Sequence, residues 1–191
     1  MAIPKRILGK TGAEVTILGL GGVCWNLVDE DREAVEVVHR AIDLGITYLD
    51  TANGYKESER RLGLALKERD REGLFVATKC IKRSGDEAKK ELAESFERLD
   101  LEMIDLVQLH AIDQDDTLEE VLKADGMLRL IEEYREAGKI RFVGLTGHTH
   151  PANFTRMIGE YEFDTILNPV GAMNRVWNDF TQTSLAAARA K

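Results

Sequence analysis

Leu74-Phe-Val-Ala-Thr-Lys-Cys80 and Ile104-Asp-Leu-Val-Gln-Leu-His110 bracket a helical stripe of Ala88, Leu92, Phe96 and Leu99, opened by Ser84. The outer runs are apolar with little alternation, as expected of parallel strands covered on both faces. The inner residues recur at helical spacing, and a serine just before them suits an N-cap. Strand, helix and strand in this order make one βα unit and the start of the next.

Outward from this stretch the unit repeats. Further short apolar runs lie at Val15–Leu20, Ile46–Leu49, Ile140–Leu145 and Thr165–Leu167. The strand ends therefore recur about every 30 residues, the length of a strand–helix unit. Ala34, Val38, Ala41 and Ile42 form a second helical stripe, with Gly45 where a C-cap belongs. Thr117-Leu-Glu-Glu120 reads as a capping box ahead of a long helical stretch ending at Gly138. Pro151 suits the first turn of a helix that buries Phe154, Met157, Ile158 and Tyr161.

Repeated βα units imply a parallel sheet, either doubly wound or closed into a barrel. No G-x-G-x-x-G follows the first strand and there is no Walker-type loop, which weakens the nucleotide-binding doubly wound folds. Arg6–Val15 reads as a hairpin turning at Gly12 that plugs the bottom of a barrel. The expected fold is thus α/β, a TIM (β/α)8-type barrel with an N-terminal hairpin, in one domain over residues 1–191. A complete barrel has eight strands and typically about 250 residues. With about six units the chain reads as C-terminally incomplete, and its unpaired sheet edges as a route to oligomers.

Composition narrows the partners. Hydrophobic residues make up 43% and charged residues 31%, an ordinary globular balance. The net charge of -8, with no dense basic run, argues against nucleic acid or an anionic membrane as the main partner. The N-terminus has no apolar signal region and no run reaches membrane-spanning length, so a cytoplasmic location is expected. Cys24 and Cys80 are then free thiols.

Ligands of parallel α/β folds bind at the C-terminal strand ends. Asp50, Tyr55, Lys79 and His110 collect there, from three successive units. A phenol is a weak acid, and an ammonium held beside it stabilises its phenolate form. A buried carboxylate would hold the ammonium, and an imidazole could orient a substrate oxygen. Singly, each residue also fits a helix cap, a rim ion pair or a satisfied core histidine.

LDTANGY at 49–55, ATK at 77–79 and QLH at 108–110 resemble the blocks that carry the catalytic tetrad of the aldo-keto reductase family. KRILGKTGAEVTILGLGG at 5–22 is similar to that family's opening hairpin and first strand, and GKIRFVGLTGH at 138–148 to its fifth strand. The resemblance runs from about residue 5 to the end of the chain. It implies an NADPH-dependent oxidoreductase, with NADH as the alternative, that reduces a small-molecule aldehyde or ketone. Tyr55 would be the general acid–base, tuned by Lys79 and Asp50, and His110 would orient the carbonyl. The cofactor would meet Gly22, Val23, Asp50, Thr146, Gly147, His148 and Asn168. The substrate would meet Trp25, Tyr55 and His110, and no metal is implied.

Thr146-Gly147 stands where many members have Ser-Asn, and Asn168 where many have Gln. The family's adenosine-phosphate contacts come largely from the last two units, which this chain lacks. Two rival readings are a catalytically inactive barrel fragment or regulatory subunit, and a zinc-dependent hydrolase using Cys24, Cys80, His110, His148 and His150. Outside the tetrad, Asp113–Asp116 reads as a solvated acidic loop, and Arg60 and Arg61 as solvent-facing. Trp177 and Asp179 lie in the loop after the sixth strand and are placed to cover the site.

Overall fold

The first elements are two short antiparallel strands, β1 (Lys5–Ile7) and β2 (Glu14–Thr16), turned by Gly12 at φ 68° as the sequence predicts. The structure, a computed structural model, describes residues 2–191, apart from the side chains of Asn26 and Asp116. Six parallel strands follow: β3 (Leu20–Gly21), β4 (Tyr48–Asp50), β5 (Phe75–Cys80), β6 (Ile104–Leu109), β7 (Ile140–Thr146) and β8 (Thr165–Leu167). They are hydrogen-bonded in chain order. The connecting helices are α1 (Asp31–Asp43), α2 (Ser58–Lys67), α3 (Gly85–Leu99), α4 (Asp115–Val121), α5 (Met127–Glu136) and α6 (Pro151–Glu160), with α7 (Ser184–Ala190) after β8. Sequential parallel strands with helices outside make a curled portion of a (β/α)8 barrel.

Alternation along each strand divides the side chains between two environments. Leu49, Val76, Val107, Leu109, Val143 and Leu145 face outward and pack against Ala34, Val38, Leu62, Leu92, Ile131 and Phe154 of the helices. Inward, Tyr48, Phe75, Ala77, Leu106 and Phe142 meet Leu8, Ala13 and Val15 of the hairpin. Tyr48 and Phe75 stack at 5.3 Å, and Phe75 and Phe142 at 6.0 Å. The hairpin therefore plugs the bottom of the inner face with apolar contact. Further along each strand the same face becomes polar, two residues on at Asp50, Lys79 and Gln108 and four on, past Gly144, at Thr146.

The helix signals of the sequence reappear at α1, α3 and α6. Ser84 Oγ accepts the Glu87 amide at the start of α3. Gly45 lies at φ 92° after α1, and Pro151 opens α6. Two expectations differ. The run Val15–Leu20 is not one strand: Thr16 Oγ1 donates to the Leu18 carbonyl at 2.7 Å and bends the chain, leaving Ile17 and Leu18 exposed. Thr16 and Thr47 instead join the hairpin to β4, each amide donating to the other's hydroxyl at 3.0 Å. The stretch from Thr117 to Gly138 divides into α4 and α5. Gly126 closes against the end of α4, where a Cβ would come within 2.5 Å of the Glu120 carbonyl oxygen. Thr117 lies inside α4 and donates to the Gln114 carbonyl, so no capping box starts there. No described helix is long and apolar enough to cross a membrane.

Candidate active site

Register puts Lys79 of β5 beside Gln108 of β6, and Asp50 of β4 beside Ala77 of β5. Three polar side chains thereby meet on the inner face at the top of the sheet. Lys79 Nζ donates to Asp50 Oδ2 and, at 2.7 Å, to the Thr51 carbonyl. Gln108 Nε2 donates to Asp50 Oδ1 at 3.1 Å, so both carboxylate oxygens are engaged. Burial pushes the Asp50 carboxyl above its usual range, while Lys79 and Gln108 act in the opposite sense. Lys79 is only 3% exposed, and its charge is held by this pairing rather than by water.

Tyr55 reaches the same place from the loop between β4 and α2. The loop is tight: the Tyr55 amide donates to the Ala52 carbonyl at 3.0 Å, and the Ser58 amide to the Tyr55 carbonyl at 2.9 Å. It is fastened on both sides. Asn53 Nδ2 donates to the Glu91 carbonyl of α3 at 3.2 Å, and Ser58 Oγ to the Gly22 carbonyl at 3.0 Å. The Lys79 ammonium then lies 4.7 Å from the centre of the Tyr55 ring.

His110 follows β6 and packs edge-on to Tyr55, with ring centres 5.6 Å apart and planes at 80°. Burial above all, then the positive charges of Lys79, Arg83 and His148, lower its pKa to about 4, with Asp113 opposing. The ring is therefore neutral at pH 7, with one nitrogen donating and the other accepting. Its Nδ1 is buried without a hydrogen-bond partner among the described residues.

Asp50, Tyr55, Lys79 and His110 line one cleft of about 290 Å³. Thr146, Gly147, His148 and Asn168 form its opposite wall with Leu167 and Pro169. Asn168 is braced by donation from its Nδ2 to Ser184 Oγ of α7 at 3.0 Å. Gly22, Val23 and Trp25 do not line it. Gly22 packs behind Asp50 and Ser58, and Val23 is 57% exposed. Trp25, expected to meet the substrate, is instead a core residue: residues 22–27 form a 3-10 turn that carries the indole inward, leaving it 4% exposed.

Arg61 is likewise not solvent-facing. It is buried and donates to the Trp25, Val28 and Asp29 carbonyls, pinning that turn to α2. Arg60 and Arg61 both bond Asp31 and hold its carboxyl at about 2. Trp177 is 77% exposed and Asp179 accepts from Thr181, and neither lines the cleft. Cys24 is exposed, whereas Cys80 is buried and donates to Glu91 at 2.8 Å. Among the described residues, no three His, Cys, Asp or Glu side chains gather so as to hold a metal ion.

Gln108, Asn53, Ser58 and Thr51 also build the site. Gln108 had a signal, since it precedes His110 by two residues and so shares its face of the sheet. The other three act through loop geometry that the sequence does not display.

This arrangement has counterparts. L-galactose dehydrogenase of Arabidopsis thaliana is 35% identical over 162 residues, covering 76% of this chain and 49% of its own length. Aldo-keto reductase YhdN of Bacillus subtilis is 32% identical over 157 residues, covering 73% and 45%. The chain spans about half the length of the curated relatives it matches. A crystal structure from Pseudomonas aeruginosa assigned as an aldo-keto reductase superposes with a TM-score of 0.81 at 29% identity, over 96% of this chain and 74% of that one. With the family description Aldo/keto reductase family matching residues 17–180, the six parallel strands and the cleft residues included, the chain belongs to the aldo/keto reductase family.

Proposed function

We propose that the cleft reduces an aldehyde or ketone to an alcohol with NADPH, Tyr55 serving as the acid. One observation carries this reading: a buried ammonium, fixed by Asp50 and Thr51, sits against the Tyr55 ring, and a neutral imidazole packs edge-on to the same ring. Lys79 stabilises negative charge on Tyr55 as the phenol gives up its proton. His110 and Tyr55 together face the oxygen on which charge develops, a preorganised electrostatic site. Asp50 and Gln108 keep the ammonium in place.

The residues on the wall fit part of the cofactor. The Thr146 hydroxyl and the Asn168 amide suit a carboxamide, and the cleft suits the nicotinamide end of NADPH with a small carbonyl compound. When bound, NADPH supplies the hydride. The cleft lining has no arginine, and its lysine is engaged by Asp50 and Thr51, so it offers no unengaged lysine or arginine to the phosphates. That same fact favours the second reading, a barrel portion that keeps the four residues without turning over.

Calorimetric titration of NADPH into the chain separates the two. Saturable binding in the about 1 μM to 1 mM range typical of working enzymes is the expected result. No binding within it would assign the chain to the silent reading.

A further inference from the structure

The Gly147 amide extends the β7–β8 ladder by donating to the Leu167 carbonyl at 3.3 Å, and the loop that follows has a second support. The turn that follows His110 reaches over to it. Arg83, from the β5–α3 loop, donates to the carbonyls of His110 at 2.5 Å and Ala111 at 3.0 Å. On the other side the Ala111 amide donates to Thr146 Oγ1 at 3.2 Å, and the Ile112 amide to the Thr146 carbonyl at 2.9 Å. Between these two fixings Ala111 is held at φ 54°, a left-handed conformation that disfavours a side chain. The strained turn is thus over-determined by its neighbours.

What the turn presents is Asp113. Its Oδ1 accepts the amides of His148 at 2.9 Å and Thr149 at 2.8 Å. Gly147 lies so close that a Cβ there would fall 2.8 Å from the same oxygen and 2.7 Å from the Phe154 ring. A side chain at 147 would therefore push the carboxylate off the loop. This corrects the view of Asp113 as part of a solvated acidic run (Asp116, in the same run, lies outside the described side chains).

We propose that Asp113 is a positioning residue. It fixes the loop of residues 147–149, and through it sets the cleft wall opposite Tyr55 and His110. The clamp stands on geometry alone, while its consequence for turnover rests on the reductase reading above.

The test compares the wild-type chain with Asp113→Ala and Asp113→Asn by amide hydrogen exchange at His148 and Thr149. NADPH affinity, KM and kcat are measured alongside. Loss of a charge-assisted acceptor should speed exchange at both amides about 10- to 100-fold in Asp113→Ala. Asparagine keeps the accepting oxygen and should recover most of the protection. NADPH KM should rise about tenfold in Asp113→Ala with kcat changed much less, as for a lost uniform binding contribution. Unchanged exchange in Asp113→Ala overturns the clamp. Faster exchange with unaltered NADPH binding and kinetics overturns the positioning role. Faster exchange, recovered by Asp113→Asn, in a chain that binds no NADPH supports the clamp and counts against the reductase reading alone. Asp113→Asn guards against a misfolded alanine variant, since it retains the hydrogen bonds.

Discussion

Tyr55→Phe is expected to lower kcat by about 10²- to 10⁴-fold, the range spanned by a general acid in the transition state. The substitution removes one hydroxyl and leaves the ring that packs against Lys79 and His110. Ground-state contacts with the cofactor therefore persist, and its affinity should stay within about threefold, which separates loss of acid function from loss of binding. The measurement is steady-state NADPH oxidation with an aldehyde, paired with a binding titration. A Phe variant with near wild-type kcat would move the acid elsewhere, and His110 would be the next group to replace.

Lys79→Met is expected to damage folding and chemistry together. Lys79 is nearly buried, and Asp50 is only 17% exposed. Removing the ammonium leaves a carboxylate with Gln108 as its remaining side-chain donor. Breaking a buried pair from one side costs about 3–5 kcal/mol, read as a lower denaturant midpoint. Adding Asp50→Asn should restore a large part of that loss, because the stranded charge is gone.

A second readout comes from His110. The Lys79 charge is one cause of its low pKa, so removing it lets the value rise from about 4 toward 6.5. Imidazole NMR titration of the two chains would show this upward movement. A stability loss under about 1 kcal/mol, as for exposed ion pairs, would mean that solvent already screens the pair.

Much of this was legible in the chain itself. Apolar runs about one βα unit apart gave the parallel strands, and their C-terminal ends gave Asp50, Lys79 and His110. Two-residue periodicity then explains why these groups converge on one face, above Ala77 and Leu106. What was hidden depended on contacts distant in sequence. Arg61 looks like a surface arginine on a helix until the carbonyls at 25, 28 and 29 are brought to it. Asp113 looks solvated until the loop after β7 lands on it. Trp25 depends on a 3-10 turn that no local propensity marks. For Arg61 and Asp113 the partners are backbone groups, and backbone groups carry no sequence signature.

The most direct test of the central claim is label transfer. NADPH deuterated at both C4 positions is incubated with the 191-residue chain and an aldehyde, and the alcohol is analysed by mass spectrometry. One deuterium is expected on the carbinol carbon of the alcohol, formed by the wild-type chain and lost with Tyr55→Phe. Alcohol without label, or labelled alcohol formed equally well by Tyr55→Phe, would contradict the central claim.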